Sequence, residues 1–373
     1  MSKILFVATV DSHIKTFHIP YIKMLKEMGN QVDVASNGEE KIPYTDNKWE
    51  ISFERSPFKK QNIKAYHDLK KIIKQNNYDL IHCHTPVGGV IARLAAKEYR
   101  KDKLKVIYTA HGFHFYKGAP LKNWIIYYSV EKWLSKYTDC LITINEEDYN
   151  IAKAKFKAKE VKLVNGVGID LTKFSPQTTD NKIKLREKYG FNQNDFILFY
   201  AGELNSNKHQ DFLIEVVGRL KSKIPNIKLL LAGKGIKLNE YKSLVAKMKL
   251  NDSIYFLGYR NDINSLLQIS DVAVSSSKRE GLPVNVMEAM VTGLPLVVTN
   301  CRGNRDLVKN GINGYVVDID DIEGFANSIY KIYSDDTLYR KFSEASLNLI
   351  KRYSLENVSK DMEEIYTKYL TGE

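Results

Sequence analysis

Short segments rich in branched apolar residues alternate with helix-forming segments along the whole chain, and this alternation restricts the fold more than any other feature. In the first half the strand candidates are Ile4–Val10, Val32–Ala35, Leu80–His82, Val106–Thr109, Cys140–Ile144 and Val161–Val164. In the second half they are Phe196–Ala201, Ile227–Ala232, Ile254–Leu257, Val272–Ser275, Leu296–Thr299 and Gly314–Val317. Helical spacing lies between them at Phe17–Met28, Asn62–Gln75, Val87–Tyr99 and Gln210–Lys223. Such alternation predicts parallel sheets with helices on both faces. Two series predict an α/β protein with two doubly wound, Rossmann-like domains.

The length of the chain also favours two domains, since 373 residues exceed the size at which a single core usually stops growing. A polar, proline-containing stretch at residues 170–180 is the predicted linker. We therefore assign residues 1–173 to an N-terminal domain and residues 174–354 to a C-terminal domain. The amphipathic segment 355–373 is predicted to form a helix that joins the N-terminal domain. Ligands of doubly wound sheets bind outside the carboxyl ends of the strands, so two such sheets facing each other would enclose a cleft.

The composition is typical of a soluble globular protein, with 43% hydrophobic and 27% charged residues. No apolar run approaches the roughly 20 residues that span a bilayer. The apolar run at the N-terminus is too short for a secretion signal and is typical of a first strand. Cys83, Cys140 and Cys301 offer neither a disulfide framework nor a metal-ligand spacing. These features predict a cytoplasmic protein.

The net charge of +12 is unevenly distributed. Residues 1–175 contain 29 Lys and Arg against 19 Asp and Glu, whereas the remainder contains 27 against 25. A basic first half favours an anionic partner, such as a membrane surface, a nucleic acid or a phosphorylated substrate. The alternative is a lysine-rich solvated surface without such a partner. Nucleic acid is the least favoured partner, because the basic residues form no recognised binding motif.

The segment Glu280-Gly-Leu-Pro-Val-Asn-Val-Met-Glu288 carries the chemistry that is most specific to this chain. It follows a predicted buried strand, and Pro283 suits the first turn of a helix, where its missing N–H has no cost. The free N–H groups at such a helix start can bind a phosphate. Carboxylates on either side of a phosphate site can bind hydroxyl groups. The pattern therefore favours a nucleotide-sugar ligand.

Four segments together resemble a known family. They are Tyr200-Ala-Gly-Glu-Leu-Asn-Ser-Asn-Lys208, Leu231-Ala-Gly-Lys-Gly235, Phe256-Leu-Gly-Tyr-Arg260 and the segment from Glu280 to Glu288. In order and spacing they resemble the retaining glycosyltransferases of the GT-B fold, family 4, of the bacterial type that builds capsular polysaccharide or exopolysaccharide. The resemblance covers nearly the whole chain. It implies two facing Rossmann-like domains, and transfer of a hexosyl or N-acetylhexosaminyl group from a nucleoside-diphosphate sugar with retention at the anomeric carbon. It also implies a metal-independent reaction without a cofactor.

The resemblance assigns the diphosphate and sugar contacts of the donor. Glu288 resembles the carboxylate that accepts both ribose hydroxyls. Glu280 resembles the acid that meets the donor sugar, with the N–H groups of Gly281 and Leu282 nearby. Lys208 resembles the cation that neutralises the leaving diphosphate, where charge develops in the transition state.

Further donor contacts come from the turns after the other strands. Gly202 lets the backbone approach the phosphates, and Tyr259 with Arg260 resembles the base-binding turn. Many family members carry arginine where this chain has Glu203, and a carboxylate beside a diphosphate is repelled. Arg302 is a candidate substitute for that missing positive charge. The donor is expected to be a UDP-sugar.

Histidines in the first half are the candidates on the acceptor side. His111 resembles the catalytic histidine beside the reacting sugar, and His13 and His84 are expected to contact the acceptor. His84 is expected to line the cleft, whereas His82 is expected to pack. The two flank Cys83, but no second cluster in the sequence completes a metal site, so we expect no metal.

The segment from Leu121 to Trp133 mixes tryptophan, tyrosine and lysine, as membrane-interface segments do. The alternative is an ordinary helix packed under the first sheet. If the acceptor is a lipid-linked saccharide, the segment could both pack under the sheet and lie at a membrane. A basic surface would then contact the inner face of an anionic membrane peripherally. The predicted function is transfer of a sugar from a nucleoside-diphosphate sugar to such an acceptor. The alternatives are a nucleotide-sugar epimerase of similar build and an inactive sugar-nucleotide-binding subunit.

Overall fold

The computed structural model describes residues 1–101 and 103–372. Asp102 and Glu373, the last residue of the predicted C-terminal helix, lie outside the described residues. The chain divides into two compact units, one formed by residues 1–168 with the segment from Glu356 on, the other by residues 169–355. The predicted division between residues 173 and 174 falls inside the second unit.

The first unit contains a seven-stranded sheet in the order β3-β2-β1-β4-β5-β6-β7, with every recorded pair parallel. Its strands are β1 (Lys3–Val10), β2 (Gln31–Asn37), β3 (Asn47–Glu50), β4 (Leu80–His84), β5 (Lys105–Ala110), β6 (Cys140–Thr143) and β7 (Glu160–Leu163). Its helices are α1 (Asp11–Phe17), α2 (Ile19–Glu27), α3 (Gln61–Asn76), α4 (Pro86–Ala96), α5 (Leu121–Asn123), α6 (Ser129–Ser135) and α7 (Glu146–Lys155). A 3₁₀ turn at Tyr99–Lys101 and a π-helical stretch at Trp124–Tyr128 complete the connections.

The second unit contains a six-stranded parallel sheet in the order β10-β9-β8-β11-β12-β13. Its strands are β8 (Phe196–Ala201), β9 (Ile227–Ala232), β10 (Ile254–Gly258), β11 (Val272–Ser275), β12 (Leu296–Thr299) and β13 (Gly314–Val317). Its helices are α8 (Thr179–Tyr189), α9 (Gln210–Leu220), α10 (Leu238–Lys247), α11 (Ile263–Ile269), α12 (Val284–Thr292), α13 (Asn304–Leu307), α14 (Ile322–Ser334) and α15 (Asp336–Leu349). A 3₁₀ turn at Ile350–Tyr353 leads to the last helix, α16 (Leu355–Thr371).

Both sheets are covered by helices, and their central strands are apolar almost throughout because parallel strands are buried on both faces. In the first unit, α16 packs against this core through Val358, Met362, Ile365 and Tyr366. Two parallel-sheet α/β units confirm the predicted fold class.

Two local elements differ from the sequence-based prediction. β3 was not predicted, because the sequence Asn-Lys-Trp-Glu of this edge strand contains no apolar run. The predicted helix Phe17–Met28 corresponds to α2, which begins at Ile19, and it is preceded by a separate short helix, α1, that was not predicted. Pro20, near the start of α2, suits a first turn, which explains why a new helix begins there.

The parallel register positions the chain segments that carry the candidate residues. In the first unit Ile4 pairs with Leu80 and Leu80 with Lys105, so the carboxyl ends of β1, β4 and β5 lie side by side. In the second unit Ala201 pairs with Ala232, which brings the ends of β8 and β9 together. The loops that follow these strands therefore share one edge of each sheet.

Candidate active site

Two loops at the carboxyl edge of the second sheet are held together by hydrogen bonds. The Asn205 side chain accepts the N–H groups of Asn207 and Lys208 at 3.0 and 2.9 Å, which shapes the turn after β8. The N–H of Lys278 donates to the carbonyl of Asn207 at 2.8 Å. The Asn207 amide in turn donates to the carbonyl of Arg279 at 3.1 Å. These hydrogen bonds hold the loop that carries Lys208 against the loop that leads to Glu280.

Lys208 and Glu280 form an ion pair at the point where the two loops meet. The Nζ–Oε1 distance is 2.5 Å, and the side chains are only 21% and 12% exposed. Burial lowers the pKa of the Lys208 ammonium, but neighbouring Tyr200 and Glu280 oppose it, and the net effect is a raised pKa. Lys208 therefore keeps its positive charge at neutral pH. The structure brings together these two residues, which were predicted from separate motifs.

Helix α12 presents its N-terminus at the same edge of the sheet. Pro283 is the N-cap, one position earlier than the predicted first-turn site, and no side chain caps the helix or places an acid in its first turn. The Asn285 amide donates to the carbonyl of Ala201 at 2.9 Å, which ties the helix start to the end of β8. The positive end of the helix dipole is thus available for an anion.

Glu288 lies more than one turn into α12. Its side chain is mostly buried, and burial raises the pKa of its carboxyl to about 7. Within the described part of the chain, no hydrogen bond or ion pair reaches this carboxyl. A carboxyl group of this kind can accept hydrogen bonds from hydroxyl groups of a ligand.

Arg302 holds the loop of Glu280 in place by a hydrogen bond to its backbone. It is 4% exposed, and its Nε donates to the backbone carbonyl of Glu280 at 2.9 Å. This contact gives Arg302 a positioning role. Its suggested function as a substitute for the family arginine at position 203 stays a prediction.

A cavity of about 440 Å³ lies at the ends of β8, β9 and β10. Its lining residues are Ala201, Gly202, Glu203, Ala232, Gly233, Lys234, Tyr259, Arg260 and Ile263. The predicted donor residues Gly202, Tyr259 and Arg260 therefore share one cavity. Arg260 pairs with Asp262 at 2.5 Å and holds the pKa of that carboxyl at about 2.

Lys234 is a cavity residue that was not predicted from the sequence. Its side chain is exposed and lies beside Glu203, with no recorded ion pair or hydrogen bond to any described residue. It follows β9 within the Leu231–Gly235 motif, so its position in that motif was the available signal. Lys234 is a second candidate for the positive charge that Glu203 does not supply.

Two glycines of the cavity differ in how closely the fold surrounds them. Gly233 has φ +146°, and a Cβ there would lie 2.0 Å from the carbonyl oxygen of Gly202, so the fold itself requires glycine. A Cβ at Gly202 would meet nothing closer than the Lys208 side chain at 3.5 Å. Packing therefore leaves room for a Cβ at Gly202, and the predicted approach of a ligand to this position stays a prediction.

In the first unit, four histidines meet at the ends of β1, β4 and β5. Nε2 of His13 lies 3.3 Å from Nε2 of His111, which lies 3.5 Å from Nδ1 of His84. His18 stacks on His84 with ring centroids 3.7 Å apart. Burial lowers the pKa of His13 to about 4 and that of His111 well below its usual range. All the predicted first-unit residues are thus adjacent, together with His18, which no sequence pattern marked.

The predictions for the two histidines of β4 differ in outcome. His82 packs, as expected, with Nδ1 2.7 Å from the Tyr366 hydroxyl and Nε2 2.8 Å from the Thr109 hydroxyl. His84 was expected to line a cleft, but it is fully buried because His18 covers its ring. His13 and His111 are the partly exposed members of the four-histidine group.

A larger cavity, of about 570 Å³, opens beside His13. Most of its lining is apolar and includes Val10, Phe58, Val87, Ile91, Phe113 and Ile126. Thr85, at its edge, has φ 63°, which is rare for a β-branched residue. Its hydroxyl lies 2.7 Å from that of Thr9, and this contact helps to hold the strained backbone. Strain of this kind is concentrated at functional sites.

The helical segment 121–135 has a packed side and an exposed side, and its contact with a membrane stays a prediction. Trp124, Tyr127 and Tyr128 pack against the core of the first unit. Leu121 and Trp133 point outward, with 74% and 48% of their surface exposed. In the described chain, no helix is both long and apolar enough to cross a bilayer.

Comparison with known proteins identifies the family. Residues 181–348 match the glycosyl transferases group 1 family, and residues 3–145 match the glycosyl transferase 4-like family. EpsD of Bacillus subtilis (strain 168), to which glycosyltransferase activity is attributed, is 47% identical over 369 residues, which cover 99% of this chain and 97% of EpsD. The Escherichia coli UDP-Gal:alpha-D-GlcNAc-diphosphoundecaprenol alpha-1,3-galactosyltransferase is 32% identical over 283 residues, which cover 74% of this chain and 72% of that enzyme.

Among solved structures, Anabaena Alr3699/HepE in complex with UDP and glucose superposes with a TM-score of 0.80 and 19% identity, covering 99% of this chain and 100% of that one. At this identity the likeness shows the fold alone, and it agrees with the predicted GT-B class. The family matches and the relatives lead to one conclusion: this chain belongs to the group 1 glycosyltransferases.

Proposed function

We propose that this glycosyltransferase moves a hexosyl or N-acetylhexosaminyl group from a UDP-sugar to a lipid-linked saccharide, with retention at the anomeric carbon. The product would extend a capsular or extracellular polysaccharide. The observation that carries the donor part of the proposal is Glu288, whose mostly buried carboxyl pairs with none of the described residues and lies more than one turn into a helix with an uncapped start. Burying such a group has a free-energy cost, and a ligand with two adjacent hydroxyls would offset it.

The donor is proposed to bind along the carboxyl edge of the second sheet. Glu288 accepts the ribose hydroxyls, and the base lies near Tyr259 and Arg260. The diphosphate approaches Gly202, Lys208 and the N–H groups of Gly281 and Leu282. Supporting this choice of donor, the E. coli relative acts on a UDP-sugar by its name, and HepE was solved with UDP.

The proposed reaction relies on positioning and charge stabilisation. Lys208 is charged and 2.5 Å from Glu280, so Glu280 is held by an ion pair and is poorly suited to attack the sugar. The departing phosphate oxygen would then take the proton of the acceptor hydroxyl on the same face of the sugar. Lys208 offsets the charge that develops on the diphosphate. A metal ion performs this task in metal-dependent enzymes, and we propose that transfer by this protein needs no metal. His111 is proposed to contact the donor sugar from the first unit.

The acceptor is proposed to be lipid-linked because of the first unit's apolar cavity and exposed apolar helix. The cavity of about 570 Å³ is lined mainly by apolar side chains next to His13. Leu121, Ile125 and Trp133 are exposed on a segment that also carries Lys132 and Lys136. Apolar and basic side chains together suit the surface of an anionic membrane, where the chain is proposed to bind peripherally. The E. coli relative acts on a diphosphoundecaprenol-linked sugar by its name.

The test combines donor binding with transfer. Thermal shift with UDP-, GDP- and ADP-sugars identifies the donor, since a ligand stabilises the state that binds it. The selected donor is then incubated with a sugar linked through diphosphate to an isoprenoid, and the anomeric configuration of the product is read by NMR. Glu288→Gln should weaken stabilisation by the donor, whereas Glu344→Gln, an exposed control on α15, should not.

Each alternative result has a definite meaning. An inverted anomeric centre would contradict the retaining mechanism. Free epimerised sugar nucleotide in the absence of acceptor would identify an epimerase. Donor binding without transfer or slow hydrolysis, over a range of lipid-linked sugars, would identify an inactive binding subunit.

A further inference from the structure

The four histidines of the first unit converge on one point from separate segments. His13 lies on α1, His18 between α1 and α2, His84 at the end of β4 and His111 after β5. One ring nitrogen from each lies within 4.8 Å of the others. Two of the four, His13 and His111, are accounted for by the proposed acceptor and donor contacts, whereas His84 is fully buried. His18 is not accounted for either, since it is buried beneath them.

The buried nitrogens of this group are poorly satisfied. Both ring nitrogens of His18 and Nε2 of His84 are buried without a hydrogen-bond partner among the described residues. A neutral imidazole carries one N–H and one lone pair, so His18 leaves a donor and an acceptor unpaired in either tautomer. Each buried group without a hydrogen-bond partner destabilises the fold. A ligand that takes up imidazole lone pairs would offset part of this destabilisation.

The chemistry of the group selects the kind of ligand. Its ligand atoms are imidazole nitrogens alone, which suit zinc, copper and nickel and do not suit magnesium or calcium. In a tetrahedral zinc site, with Zn–N bonds of about 2.0–2.1 Å, neighbouring nitrogens lie roughly 3.3–3.4 Å apart. The recorded separations of 3.3 Å between His13 and His111 and 3.5 Å between His111 and His84 match this spacing. We propose that His13, His18, His84 and His111 together bind one zinc ion, or another divalent ion that prefers imidazole, in the first unit.

Binding requires adjustments of the ring positions, because the centroid distances among the four histidines range from 3.7 to 6.0 Å. Rings bound to one tetrahedral ion have centroids roughly 5 Å apart. The centroid distances from His13 to His18 and to His111, at 5.1 and 4.6 Å, are already close to that value. The stacked rings of His18 and His84, at 3.7 Å, must separate. His18 is the ligand placed to move, because it lies at the junction of two short helices and its ring makes no hydrogen bond with the described part of the chain.

Metal binding would regulate the enzyme, a consequence that rests on the proposed function. A zinc ion held by the four rings removes His111 from the donor sugar and His13 from the acceptor. Zinc is therefore expected to inhibit transfer, while the transfer reaction itself requires no metal. The proposed contacts of the nucleotide part of the donor, with Glu288 among them, lie in the second unit, so binding of the nucleotide is expected to survive.

The experiment measures metal binding directly, on full-length protein freed of metal by chelation and carrying no polyhistidine tag. We expect one zinc ion per chain by calorimetry, and strong visible absorption on addition of Co²⁺, as four-coordinate Co²⁺ gives. His18→Phe, which keeps a ring in the stack, and His13→Asn should each weaken zinc binding at least 100-fold. His67→Phe, on the exposed surface of α3, is the matched control and should bind as the unmodified chain does.

The outcomes separate the metal site from the proposed function. Absence of stoichiometric zinc binding, or equal affinity in the His18→Phe and His67→Phe proteins with unchanged melting temperatures, would overturn the metal site. Zinc binding without inhibition of an active transferase would overturn its regulatory role. In an active transferase, inhibition by micromolar zinc that is reversed by chelator and reduced in the His18→Phe protein would support both parts.

Discussion

The carboxyl of Glu288 provides the most direct test of the donor site. Burial raises its pKa to about 7. If the ionised form accepts the ribose hydroxyls, the fraction of protein able to bind donor rises from about one tenth at pH 6 to about nine tenths at pH 8. The apparent affinity for the sugar nucleotide should therefore increase about tenfold over this range. A UDP-sugar is the correct probe, because free UDP carries a terminal phosphate that itself titrates near pH 6.

Replacing Glu288 by Gln keeps the shape of the side chain and removes its titration. Hydrogen bonds to a charged group contribute about 1.5–3 kcal/mol, so the Glu288→Gln protein should bind donor roughly 10- to 100-fold more weakly at pH 8. Its affinity should no longer depend on pH between 6 and 8. Isothermal titration calorimetry at several pH values measures both effects. An unmodified protein whose affinity is flat over this range, or a variant that keeps the tenfold change, would refute the role assigned to Glu288.

The same carboxyl should also affect stability in the opposite sense. Because its pKa in the folded chain is raised above the ordinary 4.5, ionisation destabilises the fold. The penalty is absent below pH 4.5, grows between pH 4.5 and 7, and reaches roughly 3 kcal/mol above pH 7. The Glu288→Gln protein without ligand should thus melt at a higher temperature than the unmodified chain at pH 8, and at a similar temperature at pH 4.5. Calorimetry that shows no difference at pH 8 would contradict the buried, unpaired carboxyl.

Three further predictions concern other parts of the molecule. Lys208→Ala should lower kcat by about 10²- to 10³-fold in a transfer assay and change donor affinity much less, because the charge of Lys208 acts mainly on the leaving diphosphate. Equal losses of kcat and of donor affinity would argue that Lys208 only binds the donor. Gly202→Ala should leave the melting temperature unchanged, since a Cβ there has an ordinary contact of 3.5 Å, but should weaken UDP-sugar binding measured by calorimetry; unaltered affinity would exclude close approach of the phosphates. Trp133→Ser should reduce sedimentation with anionic liposomes at low salt without lowering the melting temperature, whereas Trp49→Phe, a partly buried control, should sediment normally.

The fold could be predicted almost completely from local patterns. Parallel strands buried on both faces are continuous apolar runs, so all strands but β3 were visible. That edge strand is polar, with Trp49 as its one large apolar side chain, and hydrogen bonds to β2 create it. Strand ends were less certain, since Ile144 and Val164 continue the apolar pattern although β6 and β7 end before them.

The donor site could be predicted further than the histidine group, for a physical reason. Glu280 and Glu288 lie in one short segment, so their residue types and their spacing can be read directly from the sequence. His18 acquires its neighbours only when separate segments of the chain come together, and nothing in its local sequence indicates those contacts. Lys234 lies within the Leu231–Gly235 motif, but only the folded chain places it in the same cavity as Glu203. The burial that raises the pKa of Glu288 likewise depends on the packed structure.

Helix α16 has a consequence for how the protein is made. Val358, Met362, Ile365 and Tyr366 complete a core whose other members include Ile4 and residues of the first strands. These last side chains leave the ribosome after the whole second sheet has been synthesised. The first unit therefore keeps apolar surface uncovered until α16 has been translated, whereas the second unit has its sequence complete earlier and can fold first. Nascent chains released without α16 should accordingly be the ones that chaperones and proteases capture.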